Sequence, residues 1–187
     1  MLAESPLQAG KLEIVGATSL SYLAHLKHLR KLSFDAGGDF VDVEGLASVS
    51  QLEELKVANA SDITSVGDLG VHGALVSLTL IDLPNLQSLS GVERMSLRSL
   101  HVGGAPRLEN IHEILNCESL TRLTLDETAV TDLALLDGHA TLTYLRVANQ
   151  GLVQLSTLAD LPYLKSDRAG WGLGRARPIV ASSRRAD

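Results

Sequence analysis

Six side chains able to carry polar or ionic chemistry recur in the C-terminal third of the repeating region: His101, Arg122, Thr124, Asp126, Tyr144 and Arg146. Tyr and Arg are the residue types over-represented where a few side chains carry most of a binding energy. Arg146 and Asp126 form an opposite-charge pair of the kind that meets across neighbouring strands. Such a set suits noncovalent recognition, and its plainer alternative is a solvated sheet face with cross-strand charge pairs. Other reactive types are scattered. His112 and Glu113 have no second histidine at metal-ligand spacing, and His25, His28, His72, His101 and His139 are mostly on different units and in convex segments, so no metal site is expected. The sequence has no Gly-x-Ser-x-Gly elbow and no Walker lysine loop, and the glycines from Gly170 to Gly174 neither follow a strand nor open a helix. Cys117 stands beside Glu118, which would raise its pKa and leave an inert thiol. Catalysis and a cofactor are not expected.

The elements that must position these residues follow from a single pattern. Leu29-x-x-Leu32-x-Phe34 returns at Leu52, Leu75, Leu97, Leu120 and Leu142, at steps of 23, 23, 22, 23 and 22 residues, with a further start 22 on at Leu164. In each hit the last two apolar residues are two apart, so they point to one side of a strand and the residue between them to the other. So short a strand cannot bury one face alone, but stacking it on its neighbour makes a continuous core. Between strands, apolar residues recur at three-residue steps, as in Val43, Leu46, Val49 and Leu52. That step suits a 3₁₀ turn or short helix.

Pattern and period together resemble the leucine-rich-repeat family, over roughly residues 9 to 164, with a degenerate first unit at Ala9 that places Leu12 and Ile14 in register. The short repeat is similar to internalin-like or SDS-type units, or to bacterial and protozoan repeats, with no subfamily assigned. The resemblance implies an α/β right-handed solenoid, a horseshoe arc of about seven repeats. Short parallel strands would line its concave face, and 3₁₀ turns or short helices its convex face. It also implies protein binding. One departure is plain: many members carry an Asn eight residues after the first Leu, and here that column reads Ala17, Gly37, Ala60, Leu83, Ala105, Thr128 and Gln150. Buried backbone groups at the turn must then find main-chain or water partners.

Composition agrees with one body of 187 residues, 45% hydrophobic but only 3% aromatic, so the core must be aliphatic. Cys117 is the single cysteine, which leaves no internal disulfide and favours a cytoplasmic or other reducing compartment. Neither a signal peptide nor an apolar span of membrane length is evident. Residues 1–8 read as a short lead-in, too few for a full cap, which suggests a longer protein or a neighbour at that end. Residues 9–164 are the solenoid, with 10 Lys and Arg against 20 Asp and Glu. Residues 165–187, with 6 against 2, form a basic Gly/Arg-rich tail expected to be largely disordered. In it, Trp171 offers a cap for the last repeat, and Arg168, Arg175 and Arg177 offer contacts.

Seven strands about 4.8 Å apart and about 16 Å long give roughly 460 Å² of inner face, against about 800 Å² per partner in a standard interface. A stable partner should therefore also touch an edge, a loop or the tail. The function expected is a non-catalytic protein-binding scaffold or adaptor that uses the concave face. Two alternatives stay open: a structural part of a large, even ribonucleoprotein, assembly, where the basic tail alone would reach nucleic acid, or a regulatory subunit recognising one enzyme. No membrane partner is expected, and the partner's identity is not written in the sequence.

Overall fold

Each apolar pair of the repeat pattern buries as expected. Leu32 and Phe34, Leu55 and Val57, Leu78 and Leu80, Leu100 and Val102, Leu123 and Leu125, and Leu145 and Val147 are all no more than 2% exposed. They belong to the last six of seven parallel strands: β1 (Lys11–Val15), β2 (Lys31–Asp35), β3 (Glu54–Ala58), β4 (Ser77–Ile81), β5 (Ser99–Ala105), β6 (Arg122–Thr128) and β7 (Tyr144–Ala148). The computed structural model describes residues 10–38, 41–70, 72–137, 139–148 and 179–182, the last segment as main chain. The seven strands lie parallel in chain order, each displaced from the last by one repeat, so that Lys31, Glu54, Ser77, Ser99, Arg122 and Tyr144 stand in one row.

Opposite the sheet, the three-residue apolar step produces successive i to i+3 turns. Leu46 N–H donates to Val43 O, Val49 N–H to Leu46 O and Leu52 N–H to Val49 O, and the same chain runs through Ile111, Ile114, Cys117 and Leu120. Short 3₁₀ helices result at Ser21–His25, Glu44–Ser48, Val66–Leu69, Val92–Arg94, His112–Asn116 and Ala134–Leu136. In a 3₁₀ helix residues three apart eclipse one another, so every third side chain faces inward. Leu20, Leu23, Leu46, Val49, Val66, Leu69, Ile111, Ile114, Leu133 and Leu136 are buried in this way.

The missing Asn ladder is replaced by main chain. The N–H leaving each strand donates to a carbonyl of the next repeat: Gly16 to Asp35, Ala36 to Ala58, Asn59 to Ile81 and Asp82 to Gly103. The column that usually holds Asn is instead apolar and closed at Ala60, Leu83 and Ala105. One residue before that column the chain turns through positive φ at Asn59 (53°), Asp82 (54°), Gly104 (64°) and Glu127 (53°). Asn and Asp tolerate this region better than most side chains, whereas Glu pays for it. Gly104 has a second reason to lack a side chain, since a Cβ there would sit 2.3 Å from Asp82 Oδ1.

The sheet has an eighth strand, β8 (Ile179–Ser182), paired antiparallel to β7, within the tail that was expected to be largely disordered. Trp171, Arg168, Arg175 and Arg177 lie outside the described residues, as does the expected cap. At the other end, Leu12 and Ile14 stand in register with Leu32 and Phe34 but are only partly buried, as befits the first unit of the described stack.

Stacking leaves no room at Gly45, where a Cβ would fall 1.8 Å from the Leu20 carbonyl oxygen of the preceding unit. At Gly73 nothing lies within 4 Å. Gly45→Ala should therefore cost about 2–3 kcal/mol or more through overpacking against rigid backbone, while Gly73→Ala should stay within about 0.5 kcal/mol of wild type. Urea unfolding of the two variants checks the contrast, and equal midpoints would contradict it.

Candidate protein-binding face

Alternation along β5, β6 and β7 turns His101, Arg122, Thr124, Asp126, Tyr144 and Arg146 away from the core onto one face of the sheet. Their neighbours Leu100, Val102, Leu123, Leu125, Leu145 and Val147 point inward. Register then sets the rows. Arg122 stands beside Tyr144, His101 beside Thr124 and Thr124 beside Arg146, and Asp126 lies between Gly103 and Ala148.

Two contacts result. The Arg122 guanidinium lies over the Tyr144 ring, 5.3 Å from its centroid, a cation–π arrangement. Asp126 accepts a hydrogen bond from Arg146 through Oδ2, and the same oxygen is 3.6 Å from His101 Nε2. The other oxygen, Oδ1, is buried and accepts no hydrogen bond among the described residues. The side chains are 31% (Arg146), 20% (Asp126) and 37% (His101) exposed, so the pair is partly shielded from water. A Cβ at Gly103 would lie at ordinary contact distance, 3.5 Å from His101 Nε2 and 3.4 Å from Ile81 Cδ1. Thr124 lies between the two contacts and makes neither.

The N-terminal half of the same face carries separate pairs. Lys31 Nζ is 2.7 Å from Glu54 Oε1, and Arg30 pairs with Glu53 along the strand-entry edge. Asp35 accepts from Asn59 Nδ2 at 2.9 Å and from the Gly37 N–H at 2.8 Å. These bonds, the Asn59 amide first, hold the Asp35 carboxyl below its ordinary range.

Away from this face, titratable groups serve packing. His72 and His139 are 1% and 6% exposed and occupy the column that holds Val49 and Cys117 in other repeats. Each ring Nε2 meets a carbonyl, Leu69 O at 2.9 Å and Ile114 O at 3.0 Å, so Nε2 carries the proton. Glu113 is 7% exposed and accepts from Ser88 Oγ at 3.0 Å. Sequence reasoning placed these histidines only as scattered convex residues. Their positions three residues before Leu75 and Leu142, where Leu26, Val49 and Cys117 stand in other repeats, were the available signal. Among the described residues no three His, Cys, Asp or Glu side chains gather closely enough to hold a metal ion. A hollow lined by Leu115, Glu118, Asp137, His139, Ala140 and Thr141 lies away from the six-residue set.

Cys117 is buried, with Sγ 3.6 Å from Glu113 O. Burial, with Glu93 and Glu113 adding negative charge, pushes its pKa up to about 11. The sequence neighbour Glu118 is not among the causes.

Short parallel strands in one-repeat register, 3₁₀ turns behind them and the 22- to 23-residue period define the class: the chain folds as a leucine-rich-repeat solenoid. Among solved structures it is similar to an internalin (inlF) from Listeria monocytogenes, at 21% identity and a TM-score of 0.55, over 77% of this chain and 48% of that one. It is also similar to an internalin C2 (inlC2) from Listeria monocytogenes, at 19% identity and a TM-score of 0.51, over 70% of this chain and 56% of that one. The chain thus spans about half the length of the internalins it matches. No family profile and no curated protein matches the sequence.

Two measurements follow from this geometry. A double-mutant cycle over Asp126→Asn and Arg146→Gln should return a coupling of about 0.5–1 kcal/mol, the upper range for partly exposed pairs. A coupling of zero would mean that Arg146 is free. A thiol reagent should leave Cys117 unmodified in the folded chain at pH 8 and react at once in denaturant. A native thiol reacting at the denatured rate would refute the buried placement. The raised pKa also makes a stability contribution that is complete below the ordinary thiol range and is lost as pH rises toward about 11.

Proposed function

We propose that the chain is a non-catalytic protein-binding scaffold, and that its partner docks on the concave surface of β5, β6 and β7. The observation that carries this reading is the pair of preset contacts on that surface, Arg122 over Tyr144 and Arg146 held by Asp126. Side chains already fixed by neighbours lose less freedom when a partner arrives, and lost rotamer freedom is a principal cost of association. Arg and Tyr are also the types that most often dominate such surfaces. The solenoid fold supports the reading in general, because stacked strands present a continuous face whose outward positions are free to vary.

The patch carries two arginines against one aspartate, with His101 at its margin, so an acidic or hydrogen-bond-accepting surface complements it. The face is small, and a partner held firmly must also meet an edge or the loops beside β5 to β7. No helix among the described residues is long and apolar enough to cross a membrane. With its lone thiol buried and no disulfide required by its core, the protein is suited to a reducing compartment such as the cytoplasm.

Affinity capture from native lysate, comparing wild type with Arg122→Ala/Tyr144→Ala/Arg146→Ala, tests the face directly. Circular dichroism establishes that both chains are folded. The triple variant should retain a specific protein partner at least about tenfold less well, the loss expected when hot-spot side chains are removed. Undiminished capture by the folded triple variant would remove the concave patch from the binding surface.

A further inference from the structure

The outermost pairing of the sheet runs against the repeat. Six successive pairings from β1 to β7 are parallel, as one-repeat stacking requires, but β8 lies antiparallel on β7. Its register sets Tyr144 against Ser182, Leu145 against Ala181, Arg146 against Val180 and Val147 against Ile179. A parallel continuation was available in the sequence at Leu164, but Asp167 and Ala169 occupy its core columns. The edge of β7 is filled instead by a four-residue segment that carries no repeat motif and arrives from 30 residues beyond the end of β7. An edge that takes a non-repeat strand in the opposite direction reads main chain rather than the leucine pattern.

We infer that the outer edge of β7 is a strand-accepting site, and that the C-terminal segment Ile179–Ser182 is its displaceable resident. The partner it fits is an extended segment of another protein with the chemistry of that resident: apolar, β-branched and bounded by basic residues. Ile179, Val180 and Ala181 are apolar, two of them β-branched, and Arg175, Arg177, Arg184 and Arg185 flank them. Residues 1–164 carry 10 Lys and Arg against 20 Asp and Glu, so the body attracts such flanks. Main-chain hydrogen bonds supply most of the affinity in strand addition. The resident is short, four residues against five on β7, so few hydrogen bonds must break to release it. Because it is tethered, it competes at an effective concentration of roughly 1 mM, and an incoming strand must exceed that threshold.

This site is distinct from the concave patch although the two share β7. Strand addition uses the main chain of Tyr144–Ala148, whereas the patch uses the side chains of Arg122, Tyr144 and Arg146.

The test uses the full chain and a fluorescent peptide of residues 176–187, read by anisotropy. In the wild type the edge is occupied and the peptide should bind weakly. The full-length variant Val180→Pro/Ala181→Pro removes two adjacent amide donors, and one of any two adjacent residues in an antiparallel ladder faces the partner strand. That variant should bind the native peptide at least tenfold more tightly than wild type does, and a peptide carrying the same two prolines should not bind. Hydrogen exchange at residues 144–148 should quicken in the variant and slow again when the peptide is added. The peptide readout needs no concave partner, so its failure and the failure of the concave patch are told apart. Equal binding to wild type and variant, equal binding of the native and proline peptides, or no binding to the folded variant would each overturn the inference.

Discussion

Each of the strands β1 to β6 is tied to the next at the main-chain oxygen just before it begins, and this oxygen accepts two N–H donors from the following repeat. Gly10 O takes Arg30 and Lys31, Arg30 O takes Glu53 and Glu54, Glu53 O takes Val76 and Ser77, and the series continues through Val76, Arg98 and Thr121. Thr121 and Thr143 add side-chain hydroxyl donors to the last two of these carbonyls. Because one oxygen serves two donors, a shift of register by a single residue would break both bonds and also turn every leucine outward. Strand starts lie 20, 23, 23, 22, 23 and 22 residues apart while the pairing keeps its register, so differences in repeat length are taken up between the strands. Strand entry therefore sets the geometry, and the rest of each unit adapts to it.

That constraint explains why the architecture was legible. A pattern that must be repeated for each unit to bury its face leaves a trace at each repetition, and even the weak unit at Ala9 shows Leu12 and Ile14 in place. The three-residue convex step was equally readable because 3₁₀ turns impose it. Outward positions on β5 to β7 followed from alternation, so the six candidate residues could be set on one face. Of their pairings, Arg146 with Asp126 was legible as opposite charges on adjacent strands, whereas Arg122 over Tyr144 was not, because side-chain direction within a row decides whether Arg122 meets its neighbour or solvent.

What stayed hidden has a common cause: it lies where the repeat is broken or borrowed. Strand β8 has no leucine pattern because an antiparallel edge strand needs only extended main chain. His72 and His139 read as polar residues, yet the column tolerates them because a carbonyl stands ready for each Nε2 proton, one from the same turn and one from the preceding repeat. The Asn column looked like a defect. It is not one, since the left-handed residue just before it aims each N–H at the next repeat and leaves Ala60, Leu83 and Ala105 to pack.

Strand β7 is where these separate facts converge. It is the last parallel member of the ladder, it carries Tyr144 and Arg146 on its concave side, and it lends its outer edge to β8. An edge strand lacking a neighbour presents unpaired N–H and C=O groups, a hazard proteins cover or exploit. Covering it restrains the same five residues that present the two side chains. One strand therefore serves two surfaces, with its main chain on the outer edge and its alternate side chains on the concave face.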